Sequence, residues 1–166
     1  MSICRSFAFV GYVIVSALAT TSTNAGEQDG IAATSIMTEL SCVREPNGLP
    51  AAAYLAKTQL IKLNRNVGFD SVSCWKLSRS FDLQGLSVEG FCTATEDALM
   101  HILWPDVFYR GPGTSPGSLV SVSTSASEQA VRNWADTNRL SNVQITKNIW
   151  FEGYTSVECN SRSLPH

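Results

Sequence analysis

Apolar positions change their spacing along the chain, and each change marks an element. From Pro50 to Asn64, "PAAAYLAKTQLIKLN" places Ala53, Ala56, Leu60 and Leu63 on one helical face. Its proline falls in the first turn, where a missing N–H costs nothing, so the spacing predicts a helix. "DSVSCWKLS" reads as a strand. "GLSVEGFCTA" then alternates Leu86, Val88 and Cys92 against Ser87, Glu89 and Thr93, the period of a second strand with one buried face. Thr95 stands where a cap belongs for a short helix, "EDALMHILW", with Glu96 and Asp97 in its first turn and Pro105 forcing its end.

Beyond a Gly/Pro loop, "SLVSVST" sets Val120, Val122 and Thr124 on one side of a third strand. Ser125 and Glu128 have capping-box spacing ahead of the helix "SEQAVRNWADTNRL", whose inner face is Val131, Trp134 and Ala135. "VQITKNIW" and "YTSVECN" close the chain as a hairpin across "FEG". The pattern predicts a single small α+β domain with helices packed on a mainly antiparallel sheet.

The first residues follow a different rule. Arg5, the apolar run "FAFVGYVIVSALA" and the small residues Thr23 and Ala25 have the form of a secretory signal peptide cut between Ala25 and Gly26. The run, Phe7 to Ala19, is shorter than the roughly 20 residues a membrane-spanning helix needs, so no integral span is expected after cleavage. The expected organisation is a cleaved leader over 1–25, an N-terminal segment over 26–48 tied by a disulfide, and the α+β domain over 49–166. Losing 25 of 166 residues leaves 141, enough for one core, with eleven basic against fourteen acidic residues and a net charge of −3. The basic residues are scattered singly. That excludes the basic stripe of a nucleic-acid or anionic-membrane binder.

Cys42, Cys74, Cys92 and Cys159 remain after cleavage, an even number suited to an oxidising compartment, and two disulfides are expected. Cys74 with Cys92 is favoured because both are expected on the same face as the apolar neighbours of two successive strands. That leaves Cys42 to tie the N-terminal segment to Cys159. The cysteines are spaced 18 residues or more apart, which lacks the close ligand pairs of a zinc site.

Candidate chemistry is sparse. "GTSPG" at 113–117 matches the nucleophile-elbow pattern around Ser115. A strand-like run follows it instead of a helix, Pro116 removes the N–H that an oxyanion hole would use, and the one histidine downstream is the terminal His166. The same prolines spoil a phosphate cradle. A stiff loop remains, with Arg110, Thr114 and Ser115 as its contact residues.

His101 is the only histidine in the folded body, with Asp97 one helical turn before it. The pair could orient a ring or share a metal, or simply steady a short helix as an i,i+4 pair. Trp75 and Trp134 have the setting of core residues, whereas a tip carrying Trp150, Phe151 and Tyr154 cannot bury all three and suits a contact surface. These readings favour a periplasmic or secreted, non-catalytic binding or inhibitory module with no cofactor, whose partner is a protein or glycan of the cell envelope or exterior. The alternatives are a small secreted hydrolase or metal-dependent enzyme centred on His101, and a structural or assembly component of the envelope.

Overall fold

The computed structural model describes residues 25–68, 71–108 and 117–164. Four helices, α1 (Ala25–Leu40), α2 (Leu49–Lys57), α3 (Ala98–Leu103) and α4 (Glu128–Thr137), accompany five strands. The strands are β1 (Ser73–Leu83), β2 (Leu86–Ala94), β3 (Leu119–Thr124), β4 (Gln144–Lys147) and β5 (Thr155–Asn160). They form one antiparallel sheet in the order β1-β2-β3-β5-β4, so the last strand of the chain lies inside the sheet. The architecture is the α+β domain that the apolar spacing predicts.

Pairing alternates the strand residues between two faces. One face carries Trp75, Phe91, Val122 and Val157 in register, and it packs against Ile36 and Leu40 of α1, Leu55 of α2 and Val131 and Trp134 of α4. The other face carries Cys74, Cys92, Ser121 and Glu158 in one row and Lys76, Gly90, Ser123 and Ser156 in the next. Apolar residues on one side and small polar residues on the other tell the helices which face to cover.

The turn between β1 and β2 is Gln84-Gly85, both left-handed at φ 50° and 90°, as the tightest hairpins require. Between Lys76 and Phe81 the register shifts, with four residues of β1 set against Glu89 alone in β2. This changes the phase of β2. Leu86 and Val88 face the helices as expected, but Phe91 takes the next core position and Cys92 turns to the opposite face.

Helix α2 stops at Lys57, well short of Asn64. Gln59 adopts φ 59°, and its N–H and that of Leu60 bond back to Ala56 and Leu55 at 3.0 and 2.8 Å, which closes the helix. Its buried residues are therefore Ala51, Ala52 and Leu55. Ala53 and Ala56 lie only half inside. Two expected caps also move: Asp97 caps α3 by accepting from the Leu99 N–H, and Ser127 caps α4 by accepting from the Ala130 N–H.

Both expected disulfides are present, Cys42–Cys159 and Cys74–Cys92. The segment 26–48 is largely helix α1, which buries Ala32, Ile36 and Leu40 at intervals of four. Asp29 of α1 accepts two hydrogen bonds from Arg79 in the irregular part of β1, at 2.8 and 2.9 Å. Among the described residues no helix is long and apolar enough to cross a membrane. The two disulfides fit a secreted or periplasmic protein.

Candidate functional site

The connection from β4 to β5 is built around one buried amide. Asn148 donates to the hydroxyls of Ser123 and Ser156 at 2.6 and 2.8 Å, and its carbonyl accepts from the Trp150 and Phe151 N–H groups at 2.6 and 2.7 Å. An asparagine side chain offers two donors and two acceptor sites, and this one uses all of them. The result folds the loop back over the polar face of the sheet. The Phe151 ring lies where a Cβ on Gly90 would come within 2.9 Å of it, so glycine at 90 is what lets the ring settle. Trp150 and Phe151 pack on the cluster formed by Cys74, Cys92, Ala94 and Leu119.

A second node holds the other end of the loop. Glu89 accepts from the Ser125 hydroxyl at 2.5 Å, the Ser125 N–H at 3.2 Å and the Tyr154 hydroxyl at 3.0 Å. The Ser125 hydroxyl is the main cause holding Glu89 below the usual carboxylate range, aided by the Ser125 amide, Tyr154 and the charge of Lys76, against the opposing effect of burial. Lys76 stands 5.2 Å above the Tyr154 ring, which meets Phe151 edge to face at 6.2 Å. Further along the same face, burial pushes the Glu158 carboxyl upward, while a hydrogen bond from Asn160 works the other way.

Trp150, Phe151 and Tyr154 all end half-buried, and the apolar residue displayed outward is Ile149, 79% exposed. Between this tip and the start of α4 lies a groove of about 470 Å³, lined by Glu128, Lys147, Asn148, Glu152, Gly153, Tyr154 and Thr155.

The remaining sequence candidates fare differently. Arg110, Thr114 and Ser115 lie outside the described residues, as does the expected leader except for Ala25, where α1 begins. Asp97 and His101 are not brought together. Asp97 caps α3, while the His101 ring nitrogens face the carbonyl oxygens of Phe108 and, at 2.9 Å, Thr95. The histidine thus ties the two flanks of α3 to each other. A smaller cleft of about 250 Å³ holds the carboxylates of Glu45 and Asp97, and Glu45 is engaged by the Ser118 hydroxyl at 2.6 Å. Among the described residues no three His, Cys, Asp or Glu side chains converge as metal ligands would.

No family model, curated protein or solved structure matches this chain. The site is read from its own geometry. Sequence reasoning placed the three aromatics together on one connection but missed the residues that hold it, Asn148 and Glu89, and the outward position of Ile149. Asn148 left a signal: an asparagine two and three residues before the N–H groups of a turn is the pattern of an Asx-turn. Glu89 left none, since a polar residue on the outer phase of a strand is ordinary.

Proposed function

We propose that the protein is an exported, non-catalytic binding module, acting after removal of residues 1–25, that recognises a protein or glycan of the cell envelope or exterior through the tip formed by residues 148–154. The observation that carries this reading is the coexistence of rigidity and exposure. A loop fixed by all four bonds of Asn148 and by the Glu89 node nevertheless displays Ile149 almost fully, beside a groove of about 470 Å³. Ordering a loop before contact removes an entropic cost from binding, and that cost otherwise falls on the complex. Engagement of both His101 ring nitrogens by backbone carbonyls weighs against a histidine-centred enzyme.

The test places a photo-crosslinking residue at position 152 and compares the parent with Ile149→Asp on intact envelopes and on defined oligosaccharides. Adduct formation by the parent that falls at least fivefold in Ile149→Asp is the expected result. Equal adducts in both proteins, or none in either, reject the tip as the contact surface.

A further inference from the structure

The two edges of the sheet are finished differently. Along β1 the outer edge is already paired: Val67 and Cys74 exchange N–H···O bonds at 2.8 and 2.7 Å, and the Ser78 N–H donates to Leu60 at 2.9 Å. Among the described residues strand β4, the opposite edge, has β5 on one side only. Its register, continued by the Asn148 N–H bond to Tyr154 at 2.8 Å, turns the backbone groups of Gln144 and Thr146 toward β5 and those of Ile145 and Lys147 outward. Among the described residues, one group reaches this outer edge. It is the Arg132 guanidinium, 3.4 Å from the Ile145 carbonyl oxygen, with its side chain half exposed and also held by Glu128.

The Arg132 contact with Ile145 and the groove of about 470 Å³ that Glu128 and Lys147 share set α4 alongside β4. The four residues of β4 span about 13 Å at a strand's rise, the length of an extended segment of four residues, and the groove opens at the Lys147 end of that edge.

We propose that the outer edge of β4 accepts an extended peptide as a sixth strand, with one side chain seated in the groove beside Lys147. This rests on the reading of the protein as a binding module whose surface includes the tip groove, and it narrows the partner to a polypeptide. Recognition is through the main chain. The outward N–H and C=O groups of Ile145 and Lys147 supply the bonds, and the groove, lined by Lys147, Glu152 and a Glu128 already held by Arg132, presents charges of both signs. The incoming N–H takes the place of Arg132 on the Ile145 carbonyl.

The probe is a displayed library of random linear nine-residue peptides, selected on the full disulfide-bonded protein, with the enriched sequence then synthesised. Lys147→Pro deletes an outward N–H, a change an edge strand tolerates because the bonds to β5 are untouched, and Lys147→Ala is the reference that loses the same charge but keeps the N–H. The expected result is at least tenfold weaker peptide binding by Lys147→Pro than by Lys147→Ala. In the unaltered protein, the Ile145 and Lys147 amides should gain at least tenfold exchange protection when the peptide is added, a readout that holds even where the proline variant fails to fold.

Three results overturn the proposal: no enrichment of any peptide, equal binding by the two variants without new protection, or protection confined to residues 149–154. In the last case, weakened binding by Ile149→Asp leaves the tip reading standing while strand addition falls. If neither Ile149→Asp nor Lys147→Pro alters binding, both readings fail.

Discussion

Asn148→Ala removes four hydrogen bonds with one substitution, and their settings fix what the change costs. Ser123 has no accessible surface and Ser156 only 8%, so these hydroxyls lose a partner that water cannot replace. The Trp150 and Phe151 amides are half-buried and recover part of their hydration once the loop lifts. At about 1 kcal/mol per bond, with the loop amides discounted for water, the loss of stability is about 3 kcal/mol. Asn148→Asp is the informative partner. It keeps the acceptor for both amides, and the serine hydroxyls can rotate to donate to it, so it costs about half as much. Urea unfolding followed by tryptophan fluorescence gives both values, and amide exchange at Trp150 and Phe151 shows whether the loop has come free. A cost below about 1 kcal/mol for Asn148→Ala, with both amides still protected, would mean that Phe151 packing on Gly90 holds the tip and the amide does not.

Three further outcomes follow from contacts elsewhere. Chain entropy makes the Cys42–Cys159 bond, across 117 residues, worth about 5 kcal/mol and Cys74–Cys92, across 18, about 3 kcal/mol. Thermal unfolding of the two paired Cys→Ala variants that ranked them in reverse would sink the entropic account. Gly90→Val drives a side chain into Phe151 and Ser123 and costs about 2 kcal/mol. Adding Phe151→Ala should recover part of this, and strict additivity of the two changes would show that the ring is not where the clash occurs. Burial raises the Glu158 carboxyl above its unfolded value, so the folded state keeps that proton to higher pH, and stability falls as pH rises from about 4.3 through the raised folded value. Glu158→Gln flattens that descent, and identical pH profiles of parent and variant in urea would contradict it.

How much of this was legible before the coordinates depends on what each residue has to signal. Strands β1 and β3 and the start of β2 show because the large apolar residues that face the helices recur with a period of two, and α4 shows because Val131, Trp134 and Ala135 repeat at helical spacing. Both cysteine pairings are as expected, Cys42–Cys159 by elimination, although Cys74–Cys92 lies on the face opposite Leu86 and Val88 and not on theirs. Helix α1 was not: its segment carries Gly26 and Gly30 with Thr34, Ile36 and Thr38, poor helix formers whose order comes from packing. The end of α2 was hidden because a glutamine, not a glycine, takes the left-handed position. The site was half legible. The aromatics announced themselves, whereas the groove depends on the return of the 148–154 loop and on the position of α4, and both are tertiary facts.

The sheet order has a consequence for how the molecule is made. Strand β5 is made after β1, β2, β3 and β4, yet it sits between β3 and β4 and carries Cys159. Until it arrives, β4 has no partner, β3 shows an open edge and Cys42 has a thiol with nothing native to oxidise against. The β1–β2 hairpin can close its own disulfide early; the rest of the domain waits for residues 155–160. A chain interrupted before residue 155 loses an inner strand, a covalent tie to the segment after α1 and the seat of the tip together, and it is delivered to the cell's proteases as an open sheet.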